Sequence, residues 1–155
     1  MPLLRAALSW NFVLATAICA SLLAQLIKVL LNLFIFHRFI AERMWGAGGM
    51  PSSHSATVCA MVVATGRYCG VSSPTFAIAA VLSIIVMYDA MGVRYETGEQ
   101  AKVLNRLFTE WMDQGIEQFQ FPHGKKLKEM VGHTPIEVLT GAALGIVLGF
   151  VMPMV

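Results

Sequence analysis

The sequence predicts an all-α integral membrane protein, a helical bundle of about four transmembrane helices with one amphipathic helix beside them. Three observations predict it. Of 155 residues, 57% are hydrophobic and only 13% charged, a balance foreign to soluble domains. The apolar residues form long runs separated by short polar connections, without the alternation of half-buried strands. One stretch alone, 100–119, sets apolar residues at spacings of three and four with charged residues between them. The length fits a single membrane-embedded domain, 1–155. A formal charge of +2 is too small to suggest a nucleic-acid partner. Cys19, Cys59 and Cys69 lie in or beside apolar runs with no metal-ligand spacing, which marks them as small core residues and not a disulfide framework.

The first span is expected over 6–36. It exceeds the roughly 20 residues that cross a bilayer and continues past any signal-peptide cleavage point. Lys28 within it must snorkel or face a polar cavity. A polar connection carrying Arg38, Glu42 and Arg43 leads to Gly48-Gly49-Met50-Pro51-Ser52-Ser53-His54-Ser55. Glycines there allow close backbone approach, and a serine-started helix offers unpaired N–H groups and a positive dipole end to an anion. The second span, 55–69, is short. A turn at 70–74 precedes the third span, 75–92, which closes on Asp89 and leads to Arg94. Val103, Leu104, Leu107, Phe108, Trp111 and Ile116 define the amphipathic helix, for packing on the protein or in the interface plane. Lys125-Lys126-Leu127-Lys128 is a basic run suited to solvent or headgroups. The fourth span, 134–154, opens with Thr134 as N-cap, Pro135 in the first turn and Glu137 three after the cap, a capping box.

Four spans bring Gly48–Ser55, Asp89–Arg94 and His133–Glu137 to one membrane face. Nine of the 11 Lys and Arg residues lie on or toward that face, with only Arg5 and Arg67 on the other. The positive-inside rule predicts that the face is cytoplasmic. Two histidines, two carboxylates, cations and a serine-rich helix start are the parts of a phosphoryl-transfer site. One neutral histidine can attack phosphorus while a carboxylate fixes its tautomer. A second, protonated, can give its proton to the leaving alkoxide. His133 and Glu137 are four apart at a helix start and suit the first task; His54, alone at the other helix start, suits the second. Asp89 can pair with Arg94 or Lys28, or join Glu96 or Glu99 around Mg²⁺. His37 and His123 have no partner at useful spacing.

These residues resemble the type 2 phosphatidic acid phosphatase and vanadium haloperoxidase superfamily. Pro51-Ser52-Ser53-His54 is similar to its Pro-Ser-Gly-His motif with Ser53 for glycine, and His133 to Glu137 keeps the spacing of its His-x3-Asp motif with glutamate for aspartate. The strings from Gly48 to His54, Asp89 to Arg94, Gly98 to Ala101 and Gly132 to Val138 resemble the divergent bacterial and plastid branch, a likeness covering the chain from about Gln25. The resemblance implies His133 as nucleophile, His54 as acid, Glu137 as orienter, and Gly49, Ser52 and Ser53 as a phosphate cradle. It also implies Lys28 as the first-motif lysine. The expected Arg-Pro seven residues later is replaced by Ile35-Phe36, and Arg38 is the substitute; Leu127 stands where the third-motif arginine is expected, and Arg94 is the replacement.

The expected function is hydrolysis of a phosphate monoester on a phospholipid, phosphatidylglycerophosphate or phosphatidic acid, through a phosphohistidine intermediate. No metal or other cofactor is expected, with Mg²⁺ the minor alternative. The expected partners are the phospholipid substrate and membrane lipids. With fewer spans than the family's usual six, the cavity is either shallow or completed by a second copy in a homo-oligomer. The location is the cytoplasmic membrane or a plastid membrane. Alternatives are a polyprenyl diphosphate phosphatase, a non-enzymatic lipid-binding or scaffold protein, and a haloperoxidase, against which the small membrane-bound chain argues.

Overall fold

The computed structural model describes residues 11–36, 49–115, 121, 124–129 and 131–154. They form five helices: α1 (Phe12–Phe36), α2 (Ser53–Cys69), α3 (Pro74–Met91), α4 (Val93–Asp113) and α5 (Pro135–Val151). No strand occurs among the described residues. The first five residues of the expected first span, the connection through Arg38, residues 116–120 of the expected amphipathic helix, His37 and His123 lie outside them.

Side-chain acceptors satisfy the first free N–H groups of the helices. Asn11 accepts from the Leu14 N–H at 3.0 Å, and Ser73 from that of Phe76 at 3.2 Å. Ser52 caps α2 by accepting from the Ser55 N–H at 3.4 Å. The second span thus starts two residues before the predicted 55, which puts His54 inside its first turn. At α5, Glu137 accepts the Thr134 N–H at 3.0 Å, one arm of the expected capping box. The amphipathic helix starts at Val93, seven residues earlier than the apolar spacing predicts. Only Gly92 separates it from α3, so Arg94, Glu96 and Glu99 are helical.

Helix α2 is central and packs against α1, α3 and α5. Phe12 at the start of α1 packs on Ala64 near the end of α2, whereas Lys28 further along α1 reaches Gly49 just before α2; α1 and α2 are therefore antiparallel. Cys59 meets Ser83 and Met87 of α3, while Gly66, later in α2, meets Phe76 at the start of α3, so this pair is antiparallel as well. Helix α5 runs parallel to α2. At one end the Ser52 N–H donates to the Glu137 carbonyl at 2.9 Å. At the other, Arg67 donates to the carbonyls of Gly149 (2.6 Å) and Met152 (2.8 Å) with its guanidinium over the Phe12 ring.

The core is built from small side chains. Ala20, Ala24, Ala56 and Ala60 are fully buried, with Leu144 and Leu148 packed against them. On α5, Gly141, Gly145 and Gly149 lie against the backbone or side chains of Ser52, Ala56 and Val63 on α2, with no room for a Cβ. Large apolar residues face outward instead. Leu14, Ile18, Leu22, Leu26 and Leu30 repeat every four residues along the exposed side of α1, and Ile78, Val81, Ile84 and Ile85 are exposed on α3. Small residues inside and large apolar ones outside is the arrangement of a helical membrane protein, in which close backbone approach holds helices together. Phe12–Phe34 and a stretch within 74–113 are each long and apolar enough to cross a membrane. Helices α2 and α5, at 17 residues each, are shorter.

Candidate active site

Three segments distant in sequence meet at the end of the bundle opposite Arg67. The first is the Gly49–Ser55 entry into α2. Ser52 and Ser55 are fully buried, and the Ser52 hydroxyl accepts from that of Ser55 at 3.1 Å. Ser53 accepts from Gln25 Nε2 at 3.3 Å across to α1. With these serines turned inward, His54 falls on the outer side of the turn and is exposed.

His133 is placed by the segment before α5. Its backbone N–H donates to the Ala90 carbonyl of α3 at 3.0 Å, and Gly132 beside it lies so close to the Arg94–Tyr95 backbone that no side chain would fit. Its ring is 2% exposed, with Nδ1 3.2 Å from Glu137 Oε2. The Glu137 carboxylate accepts the N–H groups of Thr134 and Gly49 as well, so it is held from three sides. An ionised carboxylate only accepts, so Nδ1 carries the proton and Nε2 presents its lone pair. That Nε2 is buried and has no hydrogen-bond partner. The His54 and His133 rings stand edge to face with centroids 6.1 Å apart.

A cavity of about 350 Å³ opens between them, lined by His54, His133, Asp89, Arg94, Ala90 and the apolar Ile85, Val86 and Val131. Arg94 reaches it from the first turn of α4, and its Nε donates to Asp89 Oδ2 at 2.5 Å. A smaller cavity of about 140 Å³ lies on the far side of Glu137, lined by residues that include Gly49, Tyr95, Glu99, Lys102 and Glu129. Lys28 is 2% exposed and lines neither cavity; its alkyl chain packs on Gly49 and its charge acts on Glu137.

Of the residues singled out from sequence, the structure brings His54, His133, Asp89 and Arg94 to one cavity and sets Glu137 behind His133. Gly49 holds Glu137 through its N–H. The Ser52 and Ser53 hydroxyls point into the bundle, away from the cavity, because Ser55 and Gln25 engage them. Arg38 lies outside the described residues. The carboxylates weighed for Mg²⁺ do not converge. Asp89 pairs with Arg94 and Glu99 with Lys102 at 2.6 Å, and no group of three potential metal ligands stands together among the described residues.

Two contributors escaped the sequence reading. Asn105, buried on α4, accepts the Leu127 N–H (2.8 Å) and donates to the Leu127 carbonyl (2.9 Å) and Glu129 Oε1 (2.8 Å), clipping the segment that leads to His133. Among Arg106 and Glu110 it looks like a solvent-facing residue, and no local signal marks it. Gln25, which donates to Ser53 from within the first span, carries no local signal either.

Comparison with known proteins shows which family the chain resembles. A family model described as "Divergent PAP2 family" matches residues 9–148, from before α1 nearly to the end of α5. The uncharacterized membrane protein YuiD of Bacillus subtilis (strain 168) is 39% identical over 148 residues, which span 92% of this chain and 94% of that protein. No solved structure matches the chain.

Proposed function

The chain belongs to the Divergent PAP2 family, and from that premise we propose that it is a membrane-embedded phosphatase that removes the phosphate of a phospholipid monoester, such as phosphatidylglycerophosphate or phosphatidic acid. One observation carries the proposal: His133 lines a cavity with His54 and Arg94, its Nε2 buried and unpartnered and its Nδ1 tied to Glu137. A lone pair without a partner inside a protein is costly unless something binds there. An electrophilic phosphorus fits it.

In this mechanism Arg94 gathers the phosphate oxygens, and His133 Nε2 attacks phosphorus in line with the ester oxygen. As the N–P bond forms, the P–O bond breaks, and protonated His54 gives its proton to the departing alkoxide. Glu137 stabilises the positive charge that develops on the His133 ring. Neutral His54 then takes a proton from water, whose oxygen attacks the phosphohistidine and frees inorganic phosphate and His133. Lipid suits the wall opposite the histidines. Ile85 and Val86 line the cavity, and Ile85 is 58% exposed on the outer side of α3, where acyl chains would lie.

The test is phosphate release from a panel of purified lipid phosphates by the protein in detergent micelles. His133→Ala is expected to lower release by about a thousandfold or more. His54→Ala is expected to lower turnover about 100- to 10,000-fold and to leave a trapped phosphoenzyme. Full activity in the His133 variant would refute the mechanism, and a scaffold protein would tolerate the loss of either histidine. The asymmetry of lysine and arginine, nine of 11 on or toward the active face, supports a cytoplasmic orientation. A topology reporter inserted at residue 120 is expected to read cytoplasmic; an external signal would favour a polyprenyl diphosphate substrate instead.

A further inference from the structure

Resting on the phosphatase reading above, we propose that Asp89 is a specificity-determining residue, through which the cavity selects the singly charged form of a phosphate group. Asp89 stands in the wall of the larger cavity together with both histidines and Arg94. A carboxylate is an unexpected neighbour for a phosphate, because an ionised carboxylate donates no hydrogen bond and repels the anion. Here it also binds the Arg94 Nε through Oδ2 at 2.5 Å, which offsets the charge of that arginine. Asp89 is itself half-exposed, with Oδ1 left to accept from a ligand.

The charges that surround the site come from every helix packed there. Lys28 of α1 and Glu137 of α5 offset one another behind His133. Asp89 of α3 and Arg94 of α4 offset one another in the wall. Among the described residues His54 of α2 and His133 before α5 are left, and one proton on His54 brings these groups to a single net positive charge. That matches one negative charge. A doubly charged phosphate would leave an excess charge beside the apolar Val86 and Val131, where desolvation is unfavourable. A singly charged phosphate carries a proton on one oxygen. Its P–O–H donates to Asp89 while its other oxygens accept from the terminal N–H groups of Arg94, an arrangement that the doubly charged form cannot make.

Binding of methylphosphonate, a non-hydrolysable probe whose doubly charged form has no P–O–H, to the full chain in micelles, followed by titration calorimetry, tests this without turnover. Measurements at about pH 5.5 and about pH 8.5 bracket the second ionisation of a phosphate group. The wild type is expected to bind at least about tenfold more weakly at the higher pH, and Asp89→Asn to bind more tightly than the wild type there, with a ratio of about threefold or less. Both proteins keep the same histidines, so the difference between the two ratios isolates Asp89. An Asp89→Asn protein that keeps the wild-type ratio, or a wild type that binds equally well at both pH values, overturns the assignment. Asp89→Ser carries the same expectation if Asp89→Asn does not fold. A wild type that discriminates by pH yet hydrolyses no lipid phosphate overturns the phosphatase reading and leaves Asp89 as assigned. One that binds no methylphosphonate at either pH overturns both.

Discussion

Glu137 performs two tasks with one carboxylate, accepting the Thr134 N–H that starts α5 and orienting His133. The two separate experimentally. Glu137→Gln keeps an oxygen for the Thr134 N–H but no longer stabilises a charged imidazole. It is expected to lower phosphate release by about 100- to 10,000-fold while costing about 1 kcal/mol or less of stability. Lipid-phosphate kinetics beside a thermal melt check it, and a collapse in melting temperature that tracks the activity loss would reduce Glu137 to a cap. At this scale the sequence was informative where geometry is local. Residues four apart on a helix must neighbour each other, so the His133–Glu137 pair was legible. The direction of the Ser53 hydroxyl was not, because it depends on Gln25 of α1, which no local pattern ties to it.

Among the elements, α4 departs most from what its sequence suggests. Its apolar spacing marked the helix but not its start, since Val93 to Gln100 carries charges that read equally well as a connection. Nor could the spacing show that the polar side is partly covered. Asn105 is buried there by the segment 124–131, and Glu129 packs on Gly98. Asn105→Ala would strand the Leu127 N–H and carbonyl and is expected to cost about 1–3 kcal/mol. Tryptic cleavage after Lys125, Lys126 or Lys128 should accelerate, and phosphate release should fall because this segment sets His133. Unchanged cleavage rates would show that Asn105 does not hold it down.

For the whole molecule, long apolar runs were enough to predict helices and a membrane. They could not show which side faces inward, because the interior is marked by small residues and the exterior by large ones. Once the packing is known, the four-residue repeat Gly141, Gly145, Gly149 becomes meaningful: it brings α5 against α2 and so carries Glu137 to the Ser52 backbone. Gly145→Ala forces a Cβ against the Ala56 carbonyl and is expected to cost about 1–3 kcal/mol, with Gly145→Leu costing more. Thermal stability and phosphate release should fall together, unlike the pattern for Glu137→Gln.

That close pairing of two short helices has a consequence for depth. Seventeen residues of α-helix measure about 26 Å, a few ångströms less than the roughly 30 Å hydrocarbon layer. Crossing the bilayer joined along the glycine repeat, α2 and α5 could not adjust their lengths separately, and the surrounding lipid would thin or dip toward them. On the phosphatase reading, a phospholipid then meets the histidines where the membrane surface is already drawn down, and its phosphate need not be lifted out of the leaflet to react.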